Sequence, residues 1–280
     1  MSEKTVLVTG ATSGIGFVAA SQLAAMGARV ILVGRNERKG DSAIKNILNS
    51  TPKAILRYFS ADLSCQQDII ILAKEIIRSE PKLDILINNA GAFFQKREVS
   101  KEGLEQTFAL NHMGYFVLTN RLLDLLENSV GSRIINVASN AHFGAALDFT
   151  DLQMEEKYRG WVAYQRSKLA NILFTNELAR RLNSKKIYVN ALHPGFVRTN
   201  FGNNNSFFFR WGMRTAMFLK AISVKKGAET LIYLASASSL DGVSGAYFAN
   251  CREIKSSAEA REKFASERLW EKSEEFTVRA

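Results

Sequence analysis

Short runs of β-branched and other apolar residues alternate along the chain with longer stretches in which apolar positions return with helical period. Thr5 to Val8, Arg29 to Val33, Ile55 to Phe59, Leu83 to Ile87, Arg133 to Val137, Ile187 to Ala191 and Ala246 to Ala249 read as strands. Between them, 15–26, 37–49, 66–79, a pair within 99–128, 161–182 and 225–236 read as helices. Strands that alternate with helices predict a parallel sheet, and right-handed crossovers place helices on both of its faces. The expectation is an α/β, doubly wound sheet in a single domain spanning 1–280, with no repeat or linker dividing it. Two segments depart from the alternation: Asn203 to Ile222, which reads as an insertion, and Ser256 to Val278, which reads as a charged closing helix. Ligands of such sheets bind beyond the carboxyl ends of the strands, so motifs at strand ends carry the most weight.

Composition narrows the class of protein. Apolar residues make up 46% of the chain, charged residues 23%, and there are three prolines, which suits a large buried core rather than disorder. The longest uncharged stretch, Thr5 to Ala28, is interrupted by threonine, serine and glycine and does not read as a membrane span. Met1 to Lys4 lead directly into Val6-Leu7-Val8, unlike a secretory leader, so a cytoplasmic location is expected. The net charge of +10 suits an anionic partner, but the basic residues are scattered and form no nucleic-acid signature, so no nucleic acid is expected. Two cysteines, Cys65 and Cys251, provide neither a disulfide framework nor a metal cluster; they are expected to be free thiols, and no metal is expected.

The first strand ends in Thr9-Gly10-Ala11-Thr12-Ser13-Gly14-Ile15-Gly16, followed by a helix. Small residues there let backbone approach a pyrophosphate, whose charge the helix N-terminus favours. The spacing G-x-x-x-G-x-G is one residue longer than the familiar dinucleotide fingerprint, and taken alone it also reads as a tight turn. Its position after the first strand favours a nucleotide, with Gly10, Ser13, Gly14, Ile15 and Gly16 as contacts. An acidic residue at the end of the second strand would hold the ribose hydroxyls of NAD. Here Gly34-Arg35-Asn36 stands instead, followed by Arg38 and Lys39. An arginine fork suits a phosphate dianion, so Arg35 makes NADP(H) the expected cofactor over NAD(H).

Only one of the seven tyrosines, Tyr164, has a lysine four residues later, Lys168. That spacing puts both side chains on one helix face, where an ammonium would lower the phenol's pKa and ready it for proton exchange. The pair alone reads equally as a solvated helix face. Ser139, closing the strand Arg133 to Val137, is placed to hydrogen-bond the same substrate oxygen, and Asn111 is expected to open a helix upstream.

With these residues the chain resembles the short-chain dehydrogenases/reductases. The resemblance runs through Thr9 to Gly16, Asp62-Leu63, Asn88-Asn89-Ala90-Gly91, Asn111, Ser139, Tyr164 with Lys168, and Pro194-Gly195 with Thr199. It implies a seven-stranded Rossmann-type sheet with Asp62 and Leu63 near the adenine, Asn89 near its ribose, and Val197 to Thr199 against the nicotinamide half. It also implies Tyr164 as the acid/base, Ser139 polarising the substrate oxygen, Lys168 on the nicotinamide ribose, and Asn111 holding a water in the proton relay. The 25 residues from Ser139 to Tyr164, the stretch Asp148-Phe149-Thr150-Asp151-Leu152, and the run from Tyr164 to Leu182 resemble the retinol dehydrogenase-like branch.

The expected activity is interconversion of an apolar aldehyde or ketone and its alcohol. Two alternatives share the fold: a non-catalytic dinucleotide-binding sensor or scaffold, and a specialised reductase of a large planar substrate. The intact set Asn111, Ser139, Tyr164 and Lys168 favours catalysis, since a scaffold need not keep all four. In the insertion, Phe207, Trp211, Phe218 and Ile222 fall at helical spacing among Arg210, Arg214 and Lys220. A mobile lid over the substrate is the favoured expectation, with a core helix and a peripheral membrane contact through 207–222 as alternatives. A homodimer stays open.

Overall fold

The structure is a computed structural model and describes residues 1–197 and 222–278. The first half alternates strictly: β1 (Thr5–Thr9), α1 (Gly14–Ala25), β2 (Arg29–Gly34), α2 (Glu37–Ser50), β3 (Ile55–Ser60), α3 (Gln66–Ser79) and β4 (Ile85–Asn88). A broken helix follows: α4 (Gln106–Phe108), a π-helical turn (Ala109–Met113) and α5 (Gly114–Arg121), then α6 (Leu123–Glu127) and β5 (Arg133–Val137). The chain continues through α7 (Gly160–Arg181), β6 (Tyr188–Leu192), α8 (Val224–Ser236), β7 (Tyr247–Ala249), β8 (Arg252–Ile254) and α9 (Lys263–Glu275).

Among the described residues the strands form one sheet ordered β3-β2-β1-β4-β5-β6-β7-β8, parallel from β3 through β7. Successive strand residues feed two separate cores. Leu7, Ile31, Val33, Leu86 and Ile134 face the side covered by α3, α5, α7 and α9, while Val6, Val8, Leu32, Ile87 and Ile135 face α1, α2 and α8. Burial on both faces explains the near-continuous apolar runs of these strands.

Three expectations are corrected. The sheet has eight strands rather than seven: Asn250 and Cys251 adopt left-handed φ of 50° and 58° and turn β7 into the antiparallel β8. Three exposed residues, Arg252-Glu253-Ile254, carry too little apolar signal to read as a strand. The closing helix begins at Lys263 rather than at Ser256, because Ser256 and Ser257 are drawn into the interior and the backbone N–H of Ser257 is bonded to a buried side chain. Asn111 sits inside the π-helical turn rather than at a helix start. No described helix is long and apolar enough to cross a membrane.

The chain enters β2 on one side of β1 and returns to β4 on the other, so strand order reverses between β1 and β4. The loops leaving these two strands must part there, and a crevice opens beyond their carboxyl ends.

Candidate active site

Thr9, the last residue of β1, pins the two parting loops. Its Oγ1 donates to the Ile87 carbonyl (3.2 Å) and accepts from the backbone N–H groups of Asn89 (2.8 Å) and Ala90 (3.0 Å). Asn89 returns the contact, its Nδ2 donating to the carbonyls of Thr9 (2.7 Å) and Gly10 (3.3 Å). Gly10 and Gly14 hold left-handed φ of 63° and 60°, which side chains with a Cβ disfavour. At Gly16 a Cβ would overlap the Asn89 amide and the Gly10 carbonyl. Ser13, at the start of α1, makes no side-chain cap, so the first-turn N–H groups of α1 have no side-chain acceptor. The loop is thus shaped by its neighbours and carries an uncapped helix N-terminus on the cleft, which suits an anionic group.

At the end of β2, the Tyr58 hydroxyl bridges the carbonyls of Gly34 (2.9 Å) and Asn36 (3.0 Å). Asn36 caps α2 by accepting from the Lys39 N–H (3.0 Å). Arg35 is held between these anchors and lines the cleft, as does Leu63; Asp62 does not, its carboxylate accepting from the backbone and hydroxyl of Ser64 instead.

The catalytic candidates converge at the other end. Tyr164 and Lys168 lie one turn apart on α7, and Ser139 follows β5. The Ser139 hydroxyl hydrogen-bonds Tyr164 and accepts from the Ala141 N–H (3.1 Å). Burial pushes the Tyr164 phenol up to about 12, and the bond from Ser139 opposes that rise. Burial pushes the Lys168 ammonium down to about 7. Its Nζ donates to the Val137 carbonyl (3.0 Å) and stands 5.8 Å from the ring centres of both Tyr115 and Tyr164. Lys168 was expected to hold the phenol below its ordinary value; without nucleotide, removal of the phenol from water is the larger effect.

Asn111 is fully buried behind the cleft wall. Its Oδ1 accepts from the Ala92 N–H (2.9 Å), and its Nδ2 donates to the Ala92 carbonyl (2.9 Å) and the Ser167 hydroxyl (3.0 Å). These bonds fix the loop after β4. A Cβ on Gly91 would stand 3.2 Å from Asn111 Oδ1 and 3.4 Å from Lys168 Nζ, so this glycine lets the loop pass close to both polar groups.

One cleft of about 500 Å³ joins the two ends, lined by Gly10, Ser13, Gly14, Ile15, Gly16, Arg35, Leu63 and Asn89 and by Ser139, Tyr164, Lys168 and Val197. Thr199 and the segment 203–221 lie outside the described residues. Ile222 is described and is not helical: it makes an isolated parallel bridge with Val197, its N–H donating to the Phe196 carbonyl (2.8 Å). Sequence reading missed the aromatic wall. Trp161 stacks on Tyr164 (centroids 5.7 Å, 27°), Phe93 meets Tyr164 edge-on (6.3 Å, 74°), and Phe196 lines the cleft as well. Trp161 precedes Tyr164 by three residues, a spacing that shares a helix face and was legible in the sequence. The continuous cleft, its anion-suited loop and a tyrosine–lysine–serine cluster at the far end fit a nicotinamide dinucleotide.

Such a fold and site define a nucleotide-dependent oxidoreductase. The chain belongs to the short chain dehydrogenase family, whose model matches residues 4–206. It is an NAD(P)-dependent enzyme of this family acting on CH–OH groups, and within it the chain is retinol dehydrogenase-like. It is 41% identical to retinol dehydrogenase 13 of Mus musculus over 275 residues, covering 96% of this chain and 82% of the relative. An uncharacterized protein of Mycobacterium Paratuberculosis superposes with a TM-score of 0.80 at 30% identity, over 99% of this chain and 94% of that one. RhlG of Pseudomonas aeruginosa, solved as an active-site complex with NADP, gives 0.71 at 25% identity, over 89% and 94%.

Proposed function

We propose that the protein interconverts apolar aldehydes or ketones and their alcohols with NADP(H), using Tyr164 as acid/base. The observation that carries this reading is the convergence on one cleft of Arg35 at the nucleotide end and Ser139, Tyr164 and Lys168 at the other. When bound, the nicotinamide supplies the hydride for reduction or takes it up in oxidation. In reduction Tyr164 gives its phenolic proton to the carbonyl oxygen while the Ser139 hydroxyl donates a hydrogen bond to the same atom; oxidation returns the proton to Tyr164. Lys168, desolvated and one helical turn away, is the cation that would hold the nicotinamide ribose. An ammonium engaged there and charged would oppose the rise of the phenol's pKa. Arg35 would pair with the 2'-phosphate, since no carboxylate occupies that position to favour a free ribose. The half-exposed Trp161 and Phe196 give the cleft an apolar mouth, consistent with the kind of substrate named for the retinol dehydrogenases.

The test is turnover of decanal and retinaldehyde with NADPH and with NADH, followed by absorbance of the reduced nucleotide. NADPH-dependent reduction is expected, and Tyr164→Phe should lower it by about 100- to 10,000-fold while leaving NADPH binding intact. Tight nucleotide binding without turnover of any apolar aldehyde, ketone or alcohol would favour a non-catalytic dinucleotide binder instead.

A further inference from the structure

Three residues after Ser139, His142 ends the short helical turn Asn140–His142 and is fully buried. Both of its ring nitrogens are engaged. The Ser257 N–H donates to Nε2 (3.1 Å), so Nε2 bears a lone pair and the neutral ring carries its proton on Nδ1. Nδ1 lies 2.7 Å from the Ser139 carbonyl, which it therefore serves as a donor. The Tyr247 ring meets the imidazole edge-on at 5.1 Å, and burial lowers the histidine's pKa, which keeps it in this neutral form. Ser139 is thus held at its carbonyl by the His142 imidazole and, at 3.2 Å, by the His142 backbone N–H, which any substitution there leaves in place, and at its hydroxyl oxygen by the Ala141 N–H.

We infer that His142 is a positioning residue for the reaction proposed above: its locked tautomer fastens Ser139 to the segment around Ser257 and so aims the Ser139 hydroxyl at Tyr164 and the substrate oxygen. Residues 255–262, far along the chain and outside the cleft, become part of the support of the catalytic serine. A histidine that merely filled the core would affect stability but would have no privileged coupling to Ser139.

The experiment is a double-mutant cycle on kcat, using NADPH with whichever of decanal and retinaldehyde is reduced. His142→Phe keeps a planar ring but removes both nitrogens. It should lower kcat about 10-fold in the wild-type background and less than about 2-fold in Ser139→Ala, because both changes would disable the same serine. NADPH affinity should stay unchanged in all variants. His142→Asn, whose amide can replace the Nδ1 donor, should restore most of the lost rate. Equal losses in both backgrounds, or a large loss in Ser139→Ala with none in His142→Phe, would overturn the inference while leaving the proposed reaction standing. An unchanged kcat in Ser139→Ala would overturn the proposed role of that serine and the inference with it. Should His142→Phe fail to fold, the same cycle with His142→Gln, which keeps an acceptor for Ser257 but lacks the near donor, decides in the same way.

Discussion

Lys168→Met is expected to make the nucleotide-free protein more stable near neutral pH while impairing its function. The lysine is 4% exposed, and burial brings its pKa from 10.5 to about 7. In the unfolded chain the same ammonium stays charged until pH nears 10.5. Between these two values the unfolded state binds more protons than the folded one, so the contribution of this group to stability rises with pH across that window. Below it, both states are charged and the folded state bears the whole cost of burial, on the order of 5 kcal/mol. Methionine, similar in length and apolar, removes that cost but loses the hydrogen bond to the Val137 carbonyl, about 1 kcal/mol. The carbonyl is not left without a donor, since Asn171 Nδ2 (3.3 Å) and the Tyr115 hydroxyl (3.4 Å) also reach it. A net gain of about 2–4 kcal/mol near pH 6 follows, fading toward zero by about pH 10. Above that range the buried phenols add their own dependence, so urea unfolding of both proteins without nucleotide should be compared at about pH 6, 7.5 and 9. A stability gap that does not shrink with pH, or a methionine variant less stable at about pH 6, would refute the reasoning.

Three further outcomes follow from the geometry. Arg35→Asp should erase or invert a preference for NADPH over NADH in fluorescence titrations, and tighter NADH binding by the unaltered protein would overturn the assignment of Arg35 to the 2'-phosphate. Gly16→Ala should destabilise the fold by about 1–3 kcal/mol and weaken binding of both nucleotides, because its Cβ would overlap the Asn89 amide and the Gly10 carbonyl; thermal unfolding and the same titration read both effects. Trp161→Ala should raise KM for retinaldehyde more than for propanal with little change in melting temperature, since the indole is 53% exposed yet stacked on Tyr164. An equal rise for both substrates would exclude Trp161 as the apolar wall.

What the sequence determined by itself was periodic or local. The parallel strands were legible because they are short apolar runs, buried on both faces in β1, β2, β4, β5, β6 and β7 and only partly buried in the edge strand β3. The phosphate loop was legible because glycine spacing at a strand end is contiguous in the chain. Tyr164 and Lys168 were legible because four residues make nearly one helical turn. Tertiary structure alone decided the rest, for reasons of distance and dielectric. The Thr9 hydroxyl joins the ends of β1 and β4, 80 residues apart, and no local pattern announces that bond. The Lys168 ammonium turns to the Val137 carbonyl, and burial moves the Tyr164 phenol in the direction opposite to that expected from the pair's spacing, because desolvation depends on everything packed around a group rather than on its neighbour four residues away. β8 forms where three exposed residues find an open sheet edge after a two-residue turn, so backbone pairing rather than apolar periodicity made it a strand. His142 and Ser257, 115 residues apart, become partners only once the segment before α9 folds against the turn that carries Ser139.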